Sequence, residues 1–84
     1  MMHDRIEMFE AFVCVAKSGS VSAAAKELRV SQPTISRRIS ALEREYNLVL
    51  FERSCRPMRL TASGELALER ATEFVESWRA AFAS

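Results

Sequence analysis

A break of three residues, Arg29-Val30-Ser31, constrains this chain more than any other feature. Before it, the segment from Val21 to Leu28 contains three consecutive alanines, which are good helix formers and allow another helix to approach closely. Ser20 and Ser22 can each cap this segment. After the break, Ser31 is a favourable N-cap and Pro33 falls in the first helical turn, where its missing N–H is harmless. Two helices therefore meet at a tight turn.

The helix after the break is predicted to run from about Gln32 to Tyr46 and to have two contrasting sides. At 100° per residue one side collects apolar residues, which we expect to face the core: Ile35, Ile39, Leu42 and Tyr46. The opposite side is a surface of hydroxyl and guanidinium groups, formed by Thr34, Ser36, Arg37, Ser40 and Arg44 beside Pro33. Such a side is suited to a polar partner.

The remaining segments predict two more helices and a small hairpin. An apolar face at helical spacing indicates a first helix from about Arg5 to Lys17, which Gly19 closes in the left-handed conformation. The apolar run from Leu48 to Phe51 predicts a short strand, and the turn at 54–57 leads to a return strand at 58–60. Thr61 then caps a long final helix. The predicted fold is mainly α.

Charge is distributed unevenly, although the whole chain carries a net charge of only +1. Residues 29–59 contain seven arginines against three glutamates, a net charge of +4, whereas both flanking segments are slightly acidic. A basic middle segment is typical of proteins that bind nucleic acid. The alternative is a scatter of charges over a solvated surface.

Two helices joined by a short turn, the second with a polar outer side, form a helix-turn-helix. In that motif the start of the second helix contacts base edges in the major groove. Gln32 can bond to adenine, Arg37 to guanine, and Thr34 and Ser36 to bases or phosphates. The hairpin resembles the wing of a winged helix, where Arg53 and Arg56 would reach the backbone or the minor groove.

These segments resemble the N-terminal domain of LysR-type bacterial transcriptional regulators. The resemblance covers about residues 4–80 and rests on three short motifs: Ser31-Gln32-Pro33-Thr34-Ile35-Ser36-Arg37, Leu50-Phe51-Glu52-Arg53 and Leu60-Thr61 with Gly64. It implies a winged helix-turn-helix head at residues 1–60 and a linker helix at residues 61–84. It also implies an effector-binding domain, absent from this chain, through which a small molecule would act. We therefore interpret the chain as the DNA-binding part of a longer regulator.

The resemblance also implies which residues contact double-stranded DNA. The expected set is Ser22, Ser31, Gln32, Pro33, Thr34, Ser36, Arg37, Arg38, Arg53 and Arg56. For Ser31 a cap without DNA contact is an equal alternative. The sequence departs from the family at the wing tip, which carries Cys55 and Pro57 in place of the frequent glycine. It also departs at Arg38, which would either add a phosphate contact or alter specificity.

An apolar stripe on the final helix predicts a homodimer. The stripe consists of Ala71, Phe74, Val75, Trp78 and Phe82, and we expect it to be exposed in a monomer. A two-fold dimer would cover it and would bind an interrupted inverted repeat. One alternative is that the helix folds back and buries the stripe. Another is a helical module that binds proteins through residues 67–82, with the basic side incidental.

Several function classes are excluded by size and composition. A chain of 84 residues has too small a core for a deep-pocket enzyme, and His3 is its single histidine, so we expect no catalytic residue, metal site or cofactor. No apolar run approaches a membrane span, and no signal-peptide core follows the N-terminus, which favours a cytoplasmic protein. Cys14 is expected to be a buried, inert thiol, whereas Cys55 between arginines is a conceivable redox switch.

Overall fold

The computed structural model describes residues 2–53 and 58–82, with side chains from residue 5 onward. Four helices and one two-stranded hairpin make up the described chain: α1 Met2–Ser18, α2 Val21–Leu28, α3 Gln32–Tyr46, β1 Phe51–Glu52, β2 Arg59–Leu60 and α4 Ala62–Phe82. The hairpin is antiparallel and pairs Phe51 with Leu60. Cys55, Arg56 and Pro57 and the side chain of His3 lie outside the described residues, so the predictions made for them stay predictions.

Local capping determines where α2 and α3 begin, and both predicted ranges are confirmed. The Ser20 hydroxyl accepts a hydrogen bond from the Ala23 N–H at 2.9 Å, so Ser20 rather than Ser22 is the N-cap of α2. Gly19 has φ +82°, the predicted left-handed conformation. Arg29 closes α2 with φ 60°, a conformation that costs a side-chain-bearing residue roughly 1–2 kcal/mol.

The core forms around α1, which packs against α2, α3 and α4. Phe12 on α1 is fully buried and meets Phe51 of β1 edge to face, with ring centroids 5.6 Å apart. The apolar side of α3 supplies Ile35, Ile39 and Leu42, all buried as predicted. Because these helices share one small core, the polar side of α3 is held in a fixed orientation on the outside of the molecule.

Three expectations about element ends are wrong. α1 begins at Met2, so Arg5 is already inside the helix. The strand begins at Phe51 rather than at Leu48, and Val49 is exposed. Tyr46 does not join the core: it is exposed at the end of α3, where its hydroxyl accepts a hydrogen bond from Arg5 Nη1 at 3.0 Å. A phenol can end an apolar stripe in solvent because its oxygen keeps a polar partner.

Helix α4 begins beneath the hairpin and continues along α1. A Cβ added to Gly64 would lie 2.2 Å from the Leu50 carbonyl oxygen, so only glycine permits this approach. The expectation that Ala71 and Val75 are exposed is wrong, because both are buried on the side of α4 that faces the core. The long-range packing of α4 on α1, which the helical spacing alone does not reveal, accounts for this burial.

The outer side of α4 remains exposed over its last turns. Phe74 and Trp78 are each 40% exposed and Phe82 is 71% exposed. Phe74 contacts Phe9 of α1 with ring centroids 5.0 Å apart, and Trp78 contacts Phe82 at 4.7 Å. These three residues are called the aromatic stripe below. The alternative in which α4 folds back and buries its stripe thus holds for the side with Ala71 and Val75, but not for the aromatic stripe.

Candidate nucleic-acid interface

The first turns of α3 form an exposed polar surface. Its members, called the recognition face below, are Gln32, Pro33, Thr34, Ser36 and Arg37. All of them are exposed except Thr34, which is half-buried. The first turn of α3 contains no acidic residue, so the positive end of the helix dipole is not offset there. The surface therefore offers an amide, hydroxyls and a guanidinium group within a positive local potential.

A chain of hydrogen bonds orders this surface. The Ser31 hydroxyl accepts from the Thr34 N–H at 3.2 Å and lies 2.8 Å from Thr34 Oγ1, which confirms Ser31 as the N-cap of α3. Arg37 Nη2 donates to the same Thr34 Oγ1 at 3.3 Å. Thr34 thus links the helix cap to the guanidinium group. This contact uses one of the five N–H groups of Arg37 and leaves the others available to a ligand.

Two of the expected contact residues lie apart from the recognition face. Ser22 is exposed in the first turn of α2. Arg38 is half-buried and is directed towards α1, with its Nη2 atom 3.7 Å from Glu7 Oε1. This ion pair joins α3 to α1, and the DNA contact expected of Arg38 stays a prediction.

Arg53, at the end of β1, has a partner that the sequence analysis missed. Arg53 Nη2 lies 2.8 Å from Glu43 Oε1, and the second oxygen of Glu43 accepts a hydrogen bond from the Leu50 N–H at 2.8 Å. Glu43 is one of the three glutamates of the basic segment. Its position next to the core residue Leu42 was the available signal, because a carboxylate so placed needs partners.

The other candidate sites carry little chemistry. Among residues 5–53 and 58–82 no three His, Cys, Asp or Glu side chains come together as metal ligands. Within the described part of the chain no helix is long and apolar enough to cross a membrane. Cys14 is buried as expected, and burial, reinforced by the nearby Glu27 carboxylate, raises the pKa of its thiol. Such a thiol stays protonated and unreactive at neutral pH.

Comparison with known proteins agrees with this geometry. A family described as "Bacterial regulatory helix-turn-helix protein, lysR family" matches residues 6–65. The chain is 49% identical over 65 residues to the HTH-type transcriptional regulator TcbR of Pseudomonas sp. (strain P51). This match covers 77% of this chain and 22% of TcbR. The chain spans between about a fifth and two fifths of the length of the curated relatives that it matches.

Solved structures of DNA complexes match nearly the whole chain. The CbnR DNA-binding domain in complex with DNA has a TM-score of 0.83 at 42% identity, covering 90% of this chain and 87% of that one. The BenM DNA-binding domain in complex with benA site 1 DNA has a TM-score of 0.86 at 29% identity, covering 93% and 88%. The predicted winged helix-turn-helix fold is confirmed, and the chain belongs to the lysR family of bacterial regulatory helix-turn-helix proteins.

Proposed function

We propose that this chain is the DNA-binding part of a longer bacterial transcriptional regulator and binds double-stranded DNA at specific sequences. The recognition face carries this proposal, because it is exposed, lacks large apolar groups and lies where a second helix of this motif meets the major groove. The solved DNA complexes of CbnR and BenM, to which the chain is similar, support it. Residues 1–60 form the head in this proposal, and residues 61–84 the linker.

Each residue of the recognition face has a role suited to its chemistry. Gln32 pairs with adenine and Arg37 with guanine, because both side chains can make two parallel hydrogen bonds to these bases. Thr34 and Ser36 bond to bases or phosphates, and Thr34 also orients Arg37 through the 3.3 Å hydrogen bond. Pro33 makes van der Waals contact only. In this proposal Arg37 is the main determinant of the sequence specificity of DNA binding.

The remaining contacts fix the position of the protein on the duplex. Ser22 and Ser31 donate to phosphates in this proposal, and the arginines of the wing, Arg53 and Arg56, reach the backbone or the minor groove. Arg38 adds a phosphate contact in this proposal, beside its ion pair with Glu7 of α1.

We further propose that the aromatic stripe is the centre of a homodimer interface. Phe74 borders a groove of about 390 Å³ between α1, α3 and α4, whose apolar lining includes Phe9, Tyr46 and Leu48. Together with Trp78 and Phe82 it forms an exposed apolar surface of the kind that marks an interface. A two-fold dimer would present two recognition faces to one side of the duplex, so the operator is an interrupted inverted repeat. Ala71 and Val75 support this surface from within the protomer.

The proposed role is non-enzymatic, cytoplasmic and independent of a cofactor. A small-molecule effector would act through a further domain of the longer regulator, not through the residues described here. The rival proposal, a helical module that binds other proteins, is favoured by one observation, the exposure of Phe82. The two proposals differ in their dependence on salt.

Selection of bound sites from random duplexes, followed by salt titration, tests the proposal. We expect an inverted repeat to be enriched and the affinity to fall steeply with salt. For each phosphate contacted, the logarithm of the affinity should fall by about 0.9 per unit of the logarithm of the salt concentration. An affinity independent of salt, without enrichment of any sequence, would contradict DNA binding and favour the protein-binding module.

A further inference from the structure

Glu43 connects the recognition helix to the wing through both of its carboxylate oxygens. Oε2 accepts a hydrogen bond from the Leu50 N–H at 2.8 Å, just before β1 begins. Oε1 lies 2.8 Å from Nη2 of Arg53, directly after β1 ends. A single side chain of α3 therefore holds both ends of the strand that leads into the wing.

The two partners of Glu43 differ in their freedom to move. The Glu43 side chain is only 16% exposed and is bound to a backbone N–H, so it cannot follow a moving arginine. The Arg53 side chain is 53% exposed, and the contact with Glu43 uses one of the five N–H donors of its guanidinium group. Glu43 thus holds the Nη2 end of the Arg53 guanidinium, and the other N–H donors remain for a ligand.

The pairing also changes what Arg53 contributes to DNA binding. An unpaired arginine attracts any phosphate, and such contacts raise affinity for all sequences equally. With Glu43 bound, the charge of Arg53 is offset locally and its direction is set. It can then bind strongly only where the shape of the DNA brings an acceptor to its remaining N–H donors.

Resting on the proposed function, we propose that Glu43 is a specificity-determining positioning residue. It aims Arg53 and suppresses the pairing of Arg53 with phosphates of non-specific DNA. Glu43 itself touches no DNA in this proposal. Its carboxylate lowers the affinity for random duplexes more than the affinity for the operator.

The Glu43→Gln variant tests this role, because its amide oxygen can still accept from the Leu50 N–H while the negative charge is lost. We expect the affinity for random duplex DNA to rise about 3–10-fold and the salt slope to steepen by up to about one unit, the equivalent of one phosphate contact. The operator affinity changes less, so the ratio of specific to non-specific affinity falls. Circular dichroism and thermal unfolding verify that the variant folds.

Glu45→Gln is a matched control on the same helix. Glu45 also pairs with an arginine at 2.8 Å, but its partner is Arg5 of α1 rather than Arg53. Removing its charge should leave the ratio of specific to non-specific affinity unchanged. An equal change in that ratio for both variants would overturn the inference, since the effect would then come from net charge alone.

A double variant tests whether Glu43 acts through Arg53. In an Arg53→Ala background, Glu43→Gln should no longer raise the affinity for random DNA; a rise of the same size would also overturn the inference. Should Glu43→Gln fail to fold, Arg53→Gln in the otherwise unchanged chain provides a second measurement. Because Glu43 already offsets the charge of Arg53, the loss of Arg53 should lower operator affinity more than random-duplex affinity. Equal losses of the two affinities would contradict the role of Glu43.

The outcome for the unmodified chain separates this inference from the proposed function. If the unmodified chain shows no salt-dependent binding to duplex DNA, the proposed function itself fails. If it binds the operator normally but Glu43→Gln behaves like Glu45→Gln, only the role of Glu43 fails.

Discussion

Helices α3 and α4 have the same design on the inside and opposite designs on the outside. Each buries an apolar side in the shared core, with Ile35 and Ile39 on α3 and Val75 on α4 almost completely inaccessible. Outside, α3 exposes hydroxyl and guanidinium groups, whereas α4 exposes the aromatic stripe. The buried side of each helix thus reflects how the helix packs in the core, and the exposed side reflects which partner it binds.

The difference has an energetic meaning. Arginine and serine side chains are well hydrated, so the recognition face can stand in water and exchange water for phosphates and bases. Exposing an aromatic ring to water costs free energy in proportion to its apolar area, roughly 25 cal/mol per Å². The outside of α3 is therefore suited to a transient partner, and the outside of α4 to a permanent one.

The largest effect is expected from Trp78→Asp, which places a charge in the aromatic stripe. Trp78 is 40% exposed, so the protomer should still fold, but the dimer interface should be lost. Operator affinity should then fall about 100-fold or more, because two linked heads bind with avidity that one head lacks. Sedimentation at micromolar concentration and binding to half-site and full-site duplexes measure this.

Glu76→Gln is a suitable control for Trp78→Asp, because Glu76 is exposed on the same helix and outside the stripe. It should leave the dimer intact. A monomeric unmodified chain would contradict the proposed dimer and end the contrast between a lasting and a transient partner.

The next effect is expected on the outside of α3. Arg37→Ala should lower operator affinity by about 1–3 kcal/mol and random-duplex affinity by less, because a bidentate contact to guanine is lost. Arg44→Ala, an exposed arginine near the far end of the same helix, is the matched control and should change little. Competition binding assays measure both. Equal losses on operator and random DNA would show that Arg37 contacts phosphate only.

A third variant tests how α4 is held against the hairpin. Gly64→Ala places a methyl group against the Leu50 carbonyl oxygen and should lower the free energy of unfolding by about 1–3 kcal/mol, despite the better helix propensity of alanine. Denaturant titration measures the change. Ser63→Ala introduces the same residue at the exposed neighbouring position and, as the control, should change stability by about 0.5 kcal/mol or less. A stabilised Gly64→Ala chain would mean that α4 does not approach Leu50 closely.

The smallest effect is expected at the turn before α3. Arg29 has φ 60°, so Arg29→Gly should raise the free energy of unfolding by up to about 1 kcal/mol by removing left-handed strain. Asn47, which has φ 54° at the other end of α3, tolerates this conformation better, and Asn47→Gly should gain less. Thermal unfolding compares the two. A larger gain at Asn47 would contradict this ranking of strain.

Features that depend on neighbouring residues were predictable from the sequence. The bounds of α3 followed from Ser31 and Pro33, whose capping and first-turn roles act within a few residues. The left-handed Gly19 followed from its place after a helix. The exposure of Arg37 followed from helical periodicity, because the opposite side of α3 had to supply the core.

Features that depend on distant segments were not predictable. The burial of Val75 requires α1 beside α4, and the pair formed by Arg38 and Glu7 requires α1 beside α3. Glu43 and Arg53 are ten residues apart and meet only because the chain turns after α3. Neither helical periodicity nor charge counting contains this information, since both describe one element at a time.

The burial of Cys14 has a consequence in time. Cys14 is only 7% exposed on the buried side of α1, the helix that all the others contact, so we expect an alkylating reagent to reach its thiol chiefly when the molecule opens. In a Cys55→Ser background, the rate at which Cys14 is alkylated therefore reports how often the protein opens. A duplex that binds only the closed form slows that rate in proportion to its occupancy. The alkylation rate of Cys14 thus reports the DNA occupancy of the chain without an attached dye.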